Sequence, residues 1–283
     1  MEVKMSIAIV VDSTAVAGCL KQQHNNLHTV PLKVIFKDET YADGVDLTQE
    51  TFFSKLEQVE ILPTTSQPSI GEVETIFKAL LKNYDSIIYL TLSSQISGTY
   101  DSGMMARQIV SEERIHVFDT LNASVIHWIM VKEALTMIEE ENTVQEVISR
   151  LETLRKNARI LLIVDDLKHL SRTGRINPAA ASIGNMLQIK PILHFTEGKI
   201  DLFKKVRSAK KANQAILDLI KEADLKETDY LMIAQAAGQI KAEEMKAAIE
   251  DLVPGLKVLI KDLSPVISVH TGPNTIGVGW IKN

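Results

Sequence analysis

The sequence predicts an α/β protein made of two α/β domains, the first around a parallel sheet and the second around a mixed sheet. In the first half, short apolar runs alternate with segments of helical periodicity, and the apolar runs end in polar residues. In the second half, hairpin patterns are mixed with strand–helix–strand units. At 283 residues the chain is long enough for two domains of ordinary size.

The first half reads as alternating strands and helices. The predicted strands are Ile7–Val11, Val30–Phe36, Ile87–Leu90 and Ile115–Phe118. One predicted helix follows Ser69, because Glu72 three residues later completes a capping box. The helix predicted within Leu121–Glu139 is apolar nearly all round in its first turns, so that end is expected to be buried. Parallel strands joined by right-handed helical crossovers fit this order.

The pattern of predicted strands and helices changes near Lys156, which predicts domains of residues 1–156 and 157–283. The second half contains a predicted hairpin, Ile189–Phe195 with Lys199–Lys205, that turns at Glu197-Gly198. Its other predicted strands are Ile160–Val164, Tyr230–Ala234, Lys257–Asp262 and a pair, Ile267–His270 with Ile276–Ile281. Its predicted helices are Ala179–Leu187, Ala209–Ala223 and Ala242–Val253.

Composition excludes several classes of protein. A net charge of −5 argues against a generic nucleic-acid-binding surface. The one cysteine, Cys19, excludes an intrachain disulfide framework and a cysteine-rich zinc site, which favours a reducing, cytoplasmic location. The sequence predicts neither a signal peptide nor a transmembrane segment, so any membrane contact is expected to be transient.

Hydroxyl side chains recur where the predicted strands end. They lie at Ser13/Thr14, Thr64–Ser66, Ser93–Thr99 and Thr120. Because ligands of parallel α/β sheets bind beyond the carboxyl ends of strands, these loops are expected to converge. The stretch Ser86–Tyr100, a strand that ends in hydroxyls before a helix, is typical of an anion site. An ordinary βα turn with Ser/Thr capping explains the same stretch.

The usual catalytic motifs are missing from the sequence. There is no G-x-S-x-G elbow, phosphate loop or dinucleotide fingerprint, and the seven histidines show no close metal spacing. The adjacent pair Asp165-Asp166 would point to opposite faces of a strand, so it is interpreted as capping the strand's exit. Hydroxyl donors and a few cations remain, which favours binding over catalysis. The alternative is a phosphate-handling enzyme that uses the Ser93–Thr99 loop as an anion cradle.

Several motifs together resemble the DegV family over essentially the whole chain. In the first half they are V-D-S-T, T-S-Q-P-S, L-S-S-x-x-S-G-T-Y and V-F-D-T-x-x-A-S. In the second half they are R-x-G-R-I, K-P-I-L, V-R and H-x-G-P-N-T. Their order and approximate spacing match the family throughout.

The resemblance implies a non-catalytic bacterial protein that binds a long-chain fatty acid between its two domains. It implies the acyl-presenting subunit of a two-component fatty acid kinase, whose ATP-dependent partner phosphorylates the carboxyl group for phospholipid synthesis. No catalytic residue, cofactor or metal is expected on this chain, and the fatty acid is its ligand.

The resemblance also implies the residues that bind the head group. Thr65 and Ser97 would hold the carboxyl group, with Ser66, Gly98 and His270 beside it. Two adjacent threonines leave open whether Thr64 rather than Thr65 makes the contact. The sequence also leaves open whether the acid binds ionised or protonated. Arg172, Arg175 and Arg207 are expected to support the head group or contact the kinase, although the first two could simply lie in a solvated turn.

The walls of an acyl tunnel should be apolar, small or flexible. The candidates from the predicted buried helix are Val125, Ile126, Ile129 and Met130. The candidates from the second half are Ile183, Met186 and Leu187. Ordinary core packing explains each of these residues equally well.

Overall fold

A computed structural model of the protein describes residues 6–177 and 189–282. The strands, β1 to β13 in chain order, are Ile7–Asp12, Leu27–Val30, Lys33–Phe36, Glu39–Ala42, Thr64–Ser66, Ser86–Thr91, Ile115–Asp119, Ala158–Ile163, Lys190–Thr196, Lys199–Val206, Tyr230–Ala236, Val258–Asp262 and Thr275–Ile281. The helices, α1 to α10, are Gly18–Lys21, Gln49–Leu56, Ile70–Leu80, Thr99–Val110, Ser124–Glu139, Val144–Asn157, Lys168–Thr173, Ala209–Ala223, Gln239–Leu252 and Pro265–Thr271.

The first half of the chain forms a parallel sheet, as the sequence predicts. Its strands lie in the order β2-β1-β6-β7, and every neighbouring pair is parallel. The two central strands, β1 and β6, are buried along their whole length, which explains their uninterrupted apolar sequence. The carboxyl ends of β1, β6 and β7 therefore lie at one edge of the sheet.

The predicted strand Val30–Phe36 is wrong as a single element. Pro31 separates β2 from β3, because its ring removes the N–H group that a continuing ladder needs. The two parts join different sheets: β2 pairs with β1, whereas β3 lies at the centre of a small antiparallel sheet of order β4-β3-β5. That small sheet contains Thr65, the middle residue of β5.

The second half forms a mixed sheet of order β10-β9-β8-β13-β11-β12. The predicted hairpin is confirmed, since β9 and β10 pair antiparallel across a turn at Glu197 and Gly198. The last strand, β13, lies between β8 and β11 and is antiparallel to both. The pair β11 and β12 is parallel, which makes this sheet mixed rather than antiparallel.

The strand predicted at Ile267–His270 is wrong, because these residues belong to helix α10. Ser264 is the N-cap of that helix and Pro265 its first residue, a combination that favours a helix start. The Ser264 hydroxyl accepts a hydrogen bond from the Ile267 N–H. His270 consequently lies in the last turn of a short helix instead of on a sheet edge.

One hydrophobic core runs through both halves. Helix α5 packs between the two large sheets, and its residues Val125 to Val131 are buried, as the sequence predicts for that segment. The same core contains Ile9 and Leu90 of the parallel sheet and Leu162 of the mixed sheet. Helix α6 ends at Asn157, beside the predicted boundary. The two-domain division stays a prediction, since this shared core joins the halves.

Two further expectations concern helices. The helix predicted at Ala179–Leu187 lies outside the described residues. Within residues 6–177 and 189–282, no helix combines the length and the apolar character that crossing a bilayer requires.

Candidate functional site

A cavity of about 250 Å³ lies where the two halves of the molecule meet. Its polar wall comes from the two hydroxyl motifs of the first half and from α10 and the segment after α7 in the second half. The polar residues in that wall are Thr65, Ser66, Gln67, Ser97, Gly98, Ser124, Arg175, His270 and Thr271. The remaining wall is apolar and comes from both halves: Leu32, Leu92, Ile96, Ala123, Ile160, Leu162, Phe195, Leu263, Val266 and Ile267.

The pairing of β5 decides which of the two adjacent threonines faces the cavity. Thr65 is paired with Val34, a fully buried residue, so its side chain lies on the inner face of the small sheet. Thr64 is paired with Ile35, points to the opposite face and is exposed. The Thr65 Oγ1 atom lies 2.9 Å from Nε2 of His270. Thr65 therefore lines the cavity and Thr64 does not.

His270 is a neutral imidazole in this environment. Burial, together with the nearby charges of Arg175 and Arg172, lowers its pKa from 6.5 to about 3. Its Nδ1 atom is buried and has no hydrogen-bond partner among the described residues. The imidazole and the Thr65 hydroxyl carry two polar hydrogens, and their mutual bond uses one. One donor therefore remains unused: the Thr65 hydroxyl if Nε2 of His270 carries the hydrogen, or Nδ1 of His270 if Nδ1 carries it.

Ser97 and Gly98 form the second hydroxyl motif of the cavity, at the start of α4. The Ser97 Oγ atom lies 2.9 Å from Oγ1 of Thr99 and accepts a hydrogen bond from the Thr99 N–H at 3.3 Å. Gly98 occupies the N-cap position without a side-chain cap. Together they place a hydroxyl group and the amino end of a helix beside the cavity, which suits a negatively charged oxygen.

The two motifs touch through Gln67. Its side chain packs directly against Gly98, so a Cβ atom at position 98 would collide with the Gln67 amide. The Gln67 Nε2 atom donates to Oγ of Ser102 at 3.0 Å. A side chain at position 98 would therefore have to displace the flexible end of Gln67, which joins the loop of Thr65 to the loop of Ser97.

Two arginines brace the loops that carry these hydroxyls. Arg172 donates to the backbone carbonyl groups of Leu62 and Pro63, just before β5. Arg175 donates from Nε to the carbonyl group of Ile96 at 3.3 Å, just before Ser97. Neither guanidinium group has an acidic partner within the described part of the chain, so both leave positive charge near the cavity. Arg172 lies in the last turn of helix α7, and Arg175 follows that helix.

The loop predicted as an anion cradle is largely occupied by the protein itself. The Ser93 hydroxyl donates to the carbonyl group of Gly198 at 2.7 Å. The Ser94 N–H donates to the Asp119 carboxylate at 3.2 Å. An aspartate at this loop disfavours a bound phosphate, and only the Ser97–Gly98 end of the loop lines the cavity.

The other two hydroxyl loops point into the protein. The Ser13 hydroxyl donates to Oδ2 of the buried Asp43 at 2.7 Å. The Thr120 hydroxyl donates to the carbonyl group of Thr91 at 2.8 Å. The loops do meet at this edge, since Asp12 before Ser13 accepts from the Leu92 N–H and Thr120 donates to Thr91. Neither Ser13 nor Thr120 lines the cavity, however.

Several predicted residues lie elsewhere. Val125, Ile126, Ile129 and Met130 belong to the shared core and are not part of the cavity wall described above. Ile183, Met186 and Leu187 lie outside the described residues. The assignment of these seven residues to an acyl tunnel remains a prediction. Arg207 is exposed between β10 and α8, away from the cavity wall.

Sequence reasoning missed part of the apolar wall. Ile160 and Leu162 line the cavity from β8, and Phe195 lines it from β9. The alternation of Ile160 and Leu162 along one strand gives the signal that they share a face, although it does not say what that face contacts. Ser124, the first residue of α5, is also missed; its buried hydroxyl has no partner among the described residues.

Comparisons with known proteins agree with this architecture. The family model described as "Uncharacterised protein, DegV family" matches residues 6–283. Protein DegV of Bacillus subtilis (strain 168) is 35% identical over 280 residues, which cover 98% of this chain and 99% of that protein.

Solved structures are similar over the whole chain. The crystal structure of DegV, described as a fatty acid binding protein from Bacillus subtilis, has a TM-score of 0.89 and 33% identity, and the match covers 99% of this chain and 100% of that chain. A DegV family protein from Thermus thermophilus, described by its fatty acid binding, has a TM-score of 0.91 and 30% identity, with coverage of 99% and 100%. This chain belongs to the DegV family.

Proposed function

We propose that the protein binds a long-chain fatty acid and presents its carboxyl group to an ATP-dependent kinase, which forms an acyl phosphate for phospholipid synthesis. The observation that carries the proposal is a cavity with hydrogen-bond donors and Arg175 on one wall and apolar side chains on the rest. The solved relatives from Bacillus subtilis and Thermus thermophilus, both described as fatty acid binding, support the same ligand class.

The head group is held by neutral donors backed by one cation. Thr65 or His270 supplies the hydrogen that their mutual bond leaves over, and Ser97 supplies a second hydroxyl. Arg175 uses two of its nitrogen atoms on the carbonyl groups of Ile96 and Thr173 and keeps donors on Nη2. A carboxylate in an apolar cavity needs such compensation, because burying an unpaired charge is costly. The ionised acid is therefore the form that this site favours.

The acyl tail is stabilised by burial. Each methylene group that leaves water contributes about 0.8 kcal/mol, so a chain of about sixteen carbons, once wholly buried between the two halves, gains on the order of 10 kcal/mol before ordering costs. The cavity is larger than the engineered apolar cavity of about 150 Å³ that binds benzene. It holds the head group and the adjoining methylenes against Ile96, Phe195 and Ile267.

The protein acts as a carrier rather than as the catalyst. In the kinase reaction a carboxylate oxygen attacks the γ-phosphorus of ATP, the bond to the β-phosphate oxygen breaks, and ADP leaves. A carboxylate needs no base for this attack, and His270, with a pKa near 3, is a poor one. Thr65, Ser97 and His270 are only partly buried, so the bound carboxyl group stays within reach of a partner.

Basic side chains near the site offer a surface for that partner. Arg207 is exposed and has no ion pair within the described residues. The exposed lysines Lys204, Lys205, Lys210 and Lys211 surround it in sequence. This basic segment would attract an acidic patch on the kinase and steer the encounter. Arg172 is exposed as well, next to the head-group loops.

Native mass spectrometry tests the binding step directly. We expect the purified protein to retain a fatty acid, or to take up palmitate or oleate when it is added. The double variant Thr65→Ala/Ser97→Ala should bind at least about tenfold more weakly, since two hydrogen bonds to a charged group are lost. Thr64→Ala is the matched control, because Thr64 is exposed and faces away from the cavity. A wild-type protein that stays empty after loading would contradict the proposal.

The presentation step is tested with a purified bacterial fatty acid kinase subunit, ATP and the loaded protein. Hydroxylamine converts an acyl phosphate into a stable hydroxamate that can be measured. We expect product only when both proteins are present, and less product with Arg207→Ala than with wild type. Product from this protein and ATP alone would replace the carrier role by an enzymatic one.

A further inference from the structure

Cys19 has charged and polar neighbours that are unusual for an exposed cysteine. It lies in the short helix α1 and is exposed to solvent. The Lys261 Nζ atom on β12 donates to its Sγ atom at 3.0 Å. An ammonium group at hydrogen-bond distance favours the thiolate, which is the nucleophilic form of cysteine.

Trp128 of α5 completes this cluster. Its ring is 6% exposed, and its Nε1 atom is buried without a hydrogen-bond partner among the described residues. The Lys261 Nζ atom lies 5.4 Å from the centre of the same ring. Burial raises the pKa of Cys19, but the hydrogen bond and charge of Lys261, with a smaller contribution from the nearby Trp128 side chain, outweigh it, so the pKa lies below its usual value.

We propose that Cys19 is a peroxide-reactive thiolate and that Lys261 and Trp128 bind the sulfenate that it forms. The thiolate sulfur attacks one oxygen of a hydroperoxide, so an S–O bond forms and the O–O bond breaks. The sulfur is oxidised by two electrons and the peroxide is reduced. With hydrogen peroxide, the thiolate becomes a sulfenate and the second oxygen leaves as water.

The cluster fits the product better than the thiol. A sulfenate oxygen is a strong hydrogen-bond acceptor. The buried Trp128 N–H is a donor that has no acceptor among the described residues. The Lys261 ammonium compensates the negative charge of the same oxygen. None of the three residues lines the cavity described above, so this modification site is separate from the proposed fatty-acid site.

Alkylation of the intact protein tests the reactivity of the thiol. Because the chain has one cysteine, each adduct on the whole protein reports on Cys19 alone. At neutral pH we expect iodoacetamide to modify wild type about tenfold faster than Lys261→Met, because losing the ammonium group raises the pKa of the thiol and lowers the fraction of thiolate. Lys257→Met removes an exposed charge just before β12 and is the matched control. Equal rates in wild type and Lys261→Met would overturn the proposal.

Dimedone, which traps sulfenic acids, tests the product. After treatment with hydrogen peroxide we expect a dimedone adduct on wild type and at least threefold less on Trp128→Phe, which keeps the ring and loses the N–H. Circular dichroism verifies that each variant is folded. If Trp128→Phe were unfolded, the comparison with Lys261→Met would carry the same test, because Lys261 is only partly buried. A wild type that gives no adduct contradicts the proposal.

Discussion

The hydroxyl loops at the carboxyl ends of the strands divide into two groups with different surroundings. At Ser13 and Thr120 the hydroxyl groups are buried and donate to groups of the protein itself. At Thr65 and Ser97 the hydroxyl groups are half-buried and line the cavity. The first group is saturated by internal hydrogen bonds, whereas the second retains donors that a ligand can use.

A ligand-binding site and a structural hydrogen-bond network can therefore consist of the same residue types. Both groups follow strands and both consist of small hydroxyl residues, so neither composition nor position separates them. Hydrogen-bond partners separate them. We therefore expect substitutions in the first group to reduce stability and substitutions in the second to reduce binding.

Asp12 should give the largest effect on stability. It is fully buried at the end of β1 and accepts hydrogen bonds from the Leu92 N–H at 2.6 Å and from the Thr14 N–H at 3.0 Å. Asp12→Ala leaves both buried donors unsatisfied, which should lower the free energy of unfolding by about 3–5 kcal/mol. Urea denaturation measures this change. Ser97→Ala is the comparison, and a similar loss of stability there would remove the distinction between the two groups.

Asp43 gives the second largest effect, through pH. Burial raises its pKa from 3.8 to about 6, despite the hydrogen bonds from Ser13 and the Val266 N–H. A raised pKa in the folded state stabilises the protein fully below about pH 3.8, and this contribution is lost as the pH rises through about 6. The amount lost is about 3 kcal/mol, since one pKa unit corresponds to about 1.4 kcal/mol.

Asp43→Asn removes that titration. Its one oxygen can still accept from the Val266 N–H, and its amide nitrogen can donate to the Ser13 hydroxyl instead of accepting from it. The free energy of unfolding of this variant, measured relative to wild type, should therefore rise by about 3 kcal/mol between about pH 4 and about pH 8. Denaturation at several pH values measures the difference. A constant difference across this range would show that Asp43 does not titrate differently in the folded protein.

Local sequence signals predicted much of the fold. The capping box at Ser69 is present, with the Glu72 carboxylate accepting from the Ser69 N–H at 2.8 Å. Such signals act within a few residues and are readable without the rest of the chain. The helix start at Ser264-Pro265 was equally local, but the β-branched run after it was interpreted as a strand. A capping signal should outweigh β-propensity over so short a segment.

The site was less predictable because it depends on contacts between distant parts of the chain. Thr65 meets His270 only because β5 and α10 pack together, 205 residues apart in sequence. The apolar wall formed by Ile160 and Phe195 depends on how the mixed sheet meets the first half. Apolar character alone could not separate these residues from Ile126 or Met130, which are buried in the core. The family resemblance supplied Thr65, Ser97 and His270, which composition and periodicity did not.

Gly98→Ala tests the contact between the two hydroxyl motifs. The added methyl group would displace the Gln67 amide, with its hydrogen bond to Ser102, and so remove the contact that joins the loops of Thr65 and Ser97. We expect palmitate binding to weaken about tenfold, since hydrogen bonds to a charged group depend on close geometry. Isothermal titration calorimetry measures it. Gly71→Ala is the control, because a Cβ atom there meets no neighbour within 4 Å, and unchanged binding in Gly98→Ala would argue against a fixed pair of motifs.

Arg172→Gln should give the smallest effect on binding. It tests whether Arg172 contacts the ligand or only supports the loop that carries Thr65. Among the described residues, Arg172 donates only to the backbone carbonyl groups before β5, at 3.1 and 3.4 Å, and is itself exposed. Losing these bonds should cost about 0.5–1 kcal/mol, which corresponds to palmitate binding weakened about two- to fivefold. Lys168→Gln, an exposed position on the same helix, is the control. If Arg172→Gln abolished binding, the guanidinium group itself would contact the carboxylate. Arg172 would then belong to the residues that bind the ligand and not to those that support the loop.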